Sequence, residues 1–214
     1  MKKNAFTMLE LVMVIVVLGI LAALAMPRLD RDIKQEAADT VLSNIRYTQH
    51  LALLDNKQKF NKIKWQRAFW KIQFELCSGG NVFITVGTDM DYKKDISLNE
   101  AALDAANGKP MFWENTDSCK SGDDLSAASE NIFIGKKYGV SKVTGSGGCK
   151  DIKHIGFDHF GRPHISFSGS KKPDYKSYMS TACIFTFDMK NNESFKISIQ
   201  PETGYAQIVG QEDS

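Results

Sequence analysis

From Phe6 to Met26 the chain reads FTMLELVMVIVVLGILAALAM, twenty-one residues with a single charge at Glu10. At a helical rise of about 1.5 Å per residue, such a run spans the roughly 30 Å hydrocarbon core of a bilayer. A helix that is apolar all round belongs in lipid or in a core of similar helices, so a soluble cytosolic enzyme has little reason to begin this way. The 214 residues leave room for one ordinary domain behind the run. Hydrophobic residues make up 43% of the chain and charged residues 24%, a normal globular balance. Lys and Arg number 27 against 25 Asp and Glu, a net charge of only +2. That balance argues against a nucleic-acid binder working through a broad basic face, because counterion release needs a concentrated positive patch.

A hydrophobic start can be a cleaved secretory signal, a plain membrane anchor or something more specialised. Lys2 and Lys3 form a basic region, Leu11 to Leu24 an apolar one, and Ala23-Leu24-Ala25 an A-x-A cleavage pattern. Against the secretory reading stands Glu10. A carboxylate in hydrocarbon costs on the order of 3 kcal/mol, so it has a partner or a task, and a discarded signal has no use for it.

The stretch Lys2-Lys3-Asn4-Ala5-Phe6-Thr7-Met8-Leu9-Glu10, followed by the unbroken apolar run, resembles the N-terminal signal of type IV prepilins and type II secretion pseudopilins. The resemblance implies cleavage by a prepilin peptidase between Ala5 and Phe6, then methylation of the new amine on Phe6. It places Glu10 at the fifth mature position, where the family carries a glutamate, and Pro27 where members have a proline that kinks the first helix. The family has Gly before the cut; Ala5 is the next smallest side chain, so cleavage is expected, at a lower rate. Loss of residues 1–5 removes Lys2 and Lys3 and leaves 25 basic against 25 acidic residues. A neighbour's Phe6 amine is then a fitting counter-charge for Glu10 inside the membrane or fibre. The competing expectation is a protonated Glu10 that snorkels to the headgroups.

Beyond Pro27, Leu29, Ile33, Ala37, Val41 and Ile45 recur every four residues, continued by Leu51 and Ala52. Asp30, Arg31, Lys34, Gln35, Asp39 and Arg46 form the opposite, polar face. Helix signals fade at Asp55-Asn56-Lys57. The expectation is one helix over 6–55, its first part (6–26) crossing a membrane or entering a fibre core, its second part laying an apolar stripe on a globular domain at 56–214. Alternation predicts strands at 70–76, 82–86, 132–134, 154–157, 163–167, 182–188, 193–199 and 205–209. Ile96–Ala106 reads as a short helix and Gly145-Ser146-Gly147-Gly148 as a flexible loop. The fold class is α+β, a long helix followed by an antiparallel sheet or small β-sandwich. The order of elements, the segment Gly156 to Pro163 and the closing Thr203-Gly204-Tyr205 resemble H-type minor pseudopilins and minor pilins of the FimT kind.

Cys77, Cys119, Cys149 and Cys183 show no zinc-ligand spacing, and in an exported domain they allow three full disulfide pairings or stay as buried thiols. His50, His154, His159 and His164 read as solvent-exposed side chains rather than a metal site, and no nucleophile elbow or Ser-His-Asp order appears. Asp89, Asp91, Asp95 and Glu100 touch calcium-loop positions, but Lys93 and Lys94 occupy places that need a ligand and a glycine. Asp117, Asp123 and Asp124 around Gly122 read as a solvated acidic loop. Trp65, Phe69 and Trp70 interleave with Lys64, Arg67 and Lys71, a pattern of single-stranded nucleic-acid binding or, more simply, a strand with a core face and a basic outer face.

These readings converge on a non-enzymatic fibre subunit without metal or cofactor. The family resemblance implies a single-pass protein of the bacterial inner membrane with its C-terminal domain in the periplasm. It also implies a prepilin peptidase, other pseudopilins or pilins and an inner-membrane assembly platform as partners, with nucleic acid an unlikely one. The machine is a type II secretion pseudopilus serving protein transport, or a type IV pilus serving adhesion, motility or DNA uptake. A secreted or anchored periplasmic enzyme is the rival from another class.

Overall fold

The computed structural model describes residues 8–59, 61–77, 79–114 and 128–211, and over 22–32 the helical backbone alone. Helix α1 runs from Met8 to Leu54 as one element, through Pro27 where a kink was expected. It stops where the sequence signals fade, and Asp55 N still donates to Leu51 O at 3.0 Å. The amphipathic part behaves as its spacing requires: Ala37, Val41, Ile45 and Ala52 are buried, and Thr48 joins them by turning its Oγ1 back to Asn44 O at 2.7 Å. Ile33 lies beyond the edge of the domain and is exposed.

Eight strands follow: β1 (Trp70–Leu76), β2 (Val82–Gly87), β3 (Val140–Gly147), β4 (His154–Phe157), β5 (Pro163–His164), β6 (Cys183–Met189), β7 (Ser194–Ile199) and β8 (Ala206–Ile208), with a short helix α2 (Ile134–Tyr138) before β3. They form two four-stranded antiparallel sheets, ordered β2-β1-β4-β5 and β3-β6-β7-β8. The sheets meet through aromatic rings: Phe74 of β1 lies edge-on to Phe185 and Phe187 of β6 at 5.2 and 5.1 Å, and Phe187 stacks on Phe195 at 4.8 Å. The buried stripe of α1 joins this same core, so the fold is a long helix laid across two antiparallel sheets.

Four local expectations are corrected. Residues 132–134 are not a strand: Ser129 accepts from Asn131 N and starts a 3-10 turn, and α2 follows until Gly139, at φ 79°, ends it. A three-residue apolar run carries too little periodicity to tell the two states apart. The Gly145–Gly148 stretch is no loop but the end of β3 and its turn. A Cβ on Gly145 would stand 2.1 Å from Cys149 O, so this glycine admits the backbone that crosses the strand. The expected strand 163–167 is paired only over Pro163–His164, and the expected helix at 96–106 is reduced to the 3-10 turn Leu98–Glu100.

At the end of β3 a disulfide joins Cys149 to Cys183, with Cα atoms 5.0 Å apart. Both residues are fully buried. Cys77 is disulfide-bonded as well, while Cys119 lies outside the described residues.

Candidate functional site: an exposed apolar helix

The most unusual surface is the first part of α1. From Met8 to Leu21, twelve large apolar side chains are between 50% and 85% exposed, on every side of the helix. No described residue of the domain covers them, and an apolar surface of this extent marks an assembly or membrane contact. Glu10 stands in the first turn, the sole charge in this stretch. Ala5 and Phe6, the expected processing residues, lie outside the described residues. Among the described residues no helix is long and apolar enough to cross a membrane. The part of the run seen with side chains, fourteen residues, is shorter than the twenty or so that a span needs.

The other part of α1 is held to the domain by directed polar contacts. Arg46 Nη2 donates to Ala206 O at 3.0 Å, and Tyr47 Oη to Leu103 O at 2.7 Å. Tyr138 of α2 reaches Thr40 Oγ1 and Glu36 Oε1, each at 3.0 Å. Gln49 Nε2 donates to Gly161 O at 2.9 Å and to Thr203 O at 2.7 Å. Thus the two C-terminal segments singled out in the sequence, Gly156 to Pro163 and Thr203-Gly204-Tyr205, meet on one helix side chain. Gly204, at φ 66°, has no room for a Cβ, which would lie 2.4 Å from Gly161 O. The docked half of α1 therefore carries a second half whose described apolar side chains are exposed.

The first 26 residues match the family model of the prokaryotic N-terminal methylation motif. This chain carries a prepilin-type N-terminus. The match supports the type IV prepilin and pseudopilin family and covers Ala5, Phe6, Glu10 and the apolar run. No curated protein and no solved structure matches the chain.

Elsewhere in the chain, the structure rearranges the candidate chemistry. Of the histidines only His50 is exposed. His164 is buried, its Nδ1 2.9 Å from Ser177 Oγ and its Nε2 3.5 Å from Asp158 Oδ2. This brings together an Asp, a His and a Ser that linear order did not suggest. Ser177 is 2% exposed, however, so its hydroxyl links β5 to the 3-10 turn Tyr175–Ser177 rather than facing a substrate. Asp158 organises the β4–β5 turn: its carboxylate accepts from the Phe160 and Arg162 backbone N–H groups at 3.0 and 2.9 Å and from Arg162 Nε at 2.7 Å. Burial pushes this carboxyl up, but the His164 ring, the Arg162 guanidinium and the two backbone donors together hold it well below the ordinary carboxylate range.

The acidic loop closes on itself. Asp89, Asp91 and Glu100 bring carboxylate oxygens within 4.8 Å of one another, a convergence that the linear spacing had discounted. They act on the loop's own backbone: Glu100 accepts from Met90, Asp91 and Ser97 N–H groups, and Asp89 from Lys93 and Lys94. Lys71, expected on a basic outer face, is completely buried beneath this loop and donates to Lys94 O at 3.1 Å. Its cross-strand neighbours are Gly87 and Gly156, which let residues 96–101 and Phe167 lie directly on the sheet at either side. Burial pushes the Lys71 ammonium down, and the charges of Asp89, Asp95 and Glu100 oppose that. Arg67 is also buried, spending its donors on the carbonyls of Ser170, Tyr92 and Gly169 at 2.8 to 3.0 Å. Trp65 and Phe69 pack with Phe167 in a separate small core. The basic-aromatic pattern is therefore mostly interior, with Lys64 exposed and Trp70 half-buried, its Nε1 donating to Asp55 Oδ2 at 3.3 Å. Asp117, Asp123 and Asp124 lie outside the described residues.

His154, on β4 beside Lys71 and edge-on to Phe167 at 5.8 Å, gives a pH signature. Burial first, and the Lys71 charge second, lower it from 6.5 to about 4. As pH falls below 6.5 the unfolded chain takes up a proton at this ring and the folded chain does not, so stability falls with pH until about 4. At 1.36 kcal/mol per unit the loss from this residue is about 3 kcal/mol. Denaturant unfolding at a series of pH values should show a shallower decline in a His154→Gln variant; equal slopes would remove His154 from the account.

Proposed function

We propose that the chain is a minor pseudopilin, a non-enzymatic subunit of a type II secretion pseudopilus. The observation that carries this reading is the coincidence of the methylation motif with a bare apolar helix on a docked, disulfide-bonded domain. In this reading Lys2 and Lys3 stay in the cytoplasm, as the positive-inside rule requires, and residues 6–26 cross the inner membrane. A prepilin peptidase cuts at Ala5–Phe6 and methylates Phe6. Glu10 pairs with the amine of a neighbouring subunit as the helices pack into the fibre. Oxidised cysteines fit a domain held in the periplasm. The same physics would serve a minor pilin of a type IV pilus, and the two machines differ in what fails without the subunit.

Deletion of the gene, followed by complementation, tests the choice. The proposal expects secreted proteins to accumulate in the periplasm while surface motility and DNA uptake stay normal. Normal secretion with loss of either pilus phenotype would assign the subunit to a pilus instead.

A further inference from the structure

The end of the molecule remote from the apolar run carries a concentrated positive surface. Two segments lie side by side there, joined by a reciprocal pair in which Gln66 Nε2 donates to Asp174 O at 3.0 Å and Asp174 N to Gln66 Oε1 at 2.6 Å. Lys59, Lys62 and Lys64 stand on the first segment, Lys171, Lys172 and Lys176 on the second, and all six are exposed. Among the described residues none of the six is in an ion pair. Between them Ile63 is 71% and Tyr175 79% exposed. This surface follows the C-terminal end of α1, whose 47 residues put that end about 70 Å from Met8. The two segments hold one carboxylate, Asp174, against these six cations, and the acidic loop lies beside them, tied to Gly169 and Ser170 through Arg67.

We propose that this pole docks on an anionic phospholipid bilayer, a second membrane rather than the one entered by the apolar run. This inference goes beyond the pseudopilin reading and rests on it only for the orientation of the helix. Flexible lysine stems suit the diffuse field of a headgroup layer, and a lone aliphatic and a tyrosine among them suit its apolar boundary. A single-stranded nucleic acid asks for a track of exposed rings, and here Trp65 and Phe69 are interior, so that among the described residues of the two segments Tyr175 is the one largely exposed ring.

The test uses the full chain held by its apolar run in neutral phosphatidylcholine nanodiscs. Capture of a second population of vesicles is measured, made either of phosphatidylcholine or of phosphatidylcholine and phosphatidylglycerol in equal parts. Strong capture of the anionic vesicles alone is expected, abolished by high salt. Each lysine near such a surface is worth about fivefold in binding, so the triple variant Lys62→Glu, Lys171→Glu, Lys172→Glu should lose more than about a hundredfold. These are exposed positions, and an unchanged near-ultraviolet dichroism will show that the variant is folded. Ile63→Ser with Tyr175→Ser should weaken capture at unchanged salt dependence. Equal capture of neutral and anionic vesicles, indifference to the triple charge reversal, or binding of single-stranded DNA with vesicles ignored would each overturn the proposal. Incorporation into the disc is read separately by co-fractionation. If the chain stays out of the disc, the membrane-spanning reading fails, and the same capture is then measured with the chain tethered to beads by its N-terminus.

Discussion

A Glu10→Ala subunit will fold, be processed and reach the membrane, yet be nearly absent from assembled fibres. Glu10 lies in the first turn of α1, at the opposite end of the helix from the packed core and from the docking contacts of Arg46, Tyr47 and Gln49, so its loss leaves those intact. In an apolar fibre core a carboxylate paired with a neighbour's N-terminal amine is different: removing one partner of a buried pair costs about 3–5 kcal/mol, because the other charge is left uncompensated. That corresponds to at least about a hundredfold less incorporation, since each 1.4 kcal/mol is a factor of ten. The readout is the amount of subunit in sheared fibres relative to total membrane. If Glu10 is instead protonated and snorkels to the headgroups, the alanine variant will assemble as well as the parent.

Loss of the Cys149–Cys183 bridge should produce the largest fall in stability of any substitution considered. The two cysteines are 34 residues apart, and the chain-entropy estimate for closing such a loop is about 4 kcal/mol. The bridge also fastens the segment that crosses β3 to the first residue of β6, where Gly147 pairs with Cys183. For a domain of this size the melting temperature should drop by roughly 8–16 °C in a Cys149→Ala, Cys183→Ala variant. Thermal unfolding of the parent with and without reductant, beside the double variant, measures it. A drop below about 1 kcal/mol would mean that the bridge only decorates contacts the sheets already secure.

Legibility of the sequence followed the length of each pattern. Trp70–Leu76 and His154–Phe157 appear as strands with the boundaries that alternation predicts, and α1 ends one residue from its predicted end. Where a pattern was short or glycine-rich, tertiary context decided instead. Residues 132–134 became helical turns through a Ser129 cap, and Gly145 and Gly147 proved to be strand residues kept small by a crossing backbone. Lys71 and Arg67 were misplaced for a different reason. Their strand-face and surface roles were read from polarity, but two loops fold over them, and the glycines that admit this cover, Gly87 and Gly156, are far from Lys71 in sequence and meet it only across the strands. The N-terminal methylation motif was the most legible feature, since it is one contiguous run of residues, and residues 1–26 match its family model. The convergence of Ser177, His164 and Asp158 was invisible because it needs the β4–β5 turn and the following 3-10 turn to be in place.

Maturation as a prepilin-type subunit, as proposed above, leaves its mark on the intact mass and N-terminal sequence of the protein taken from its native membrane. The account predicts a chain that begins with N-methylated Phe6, lacking Met1 to Ala5 and retaining Glu10 and the whole apolar run. A chain that begins at Met26 would contradict it: the run would then be a discarded export signal, and the assembly roles of Phe6 and Glu10 would fall with it.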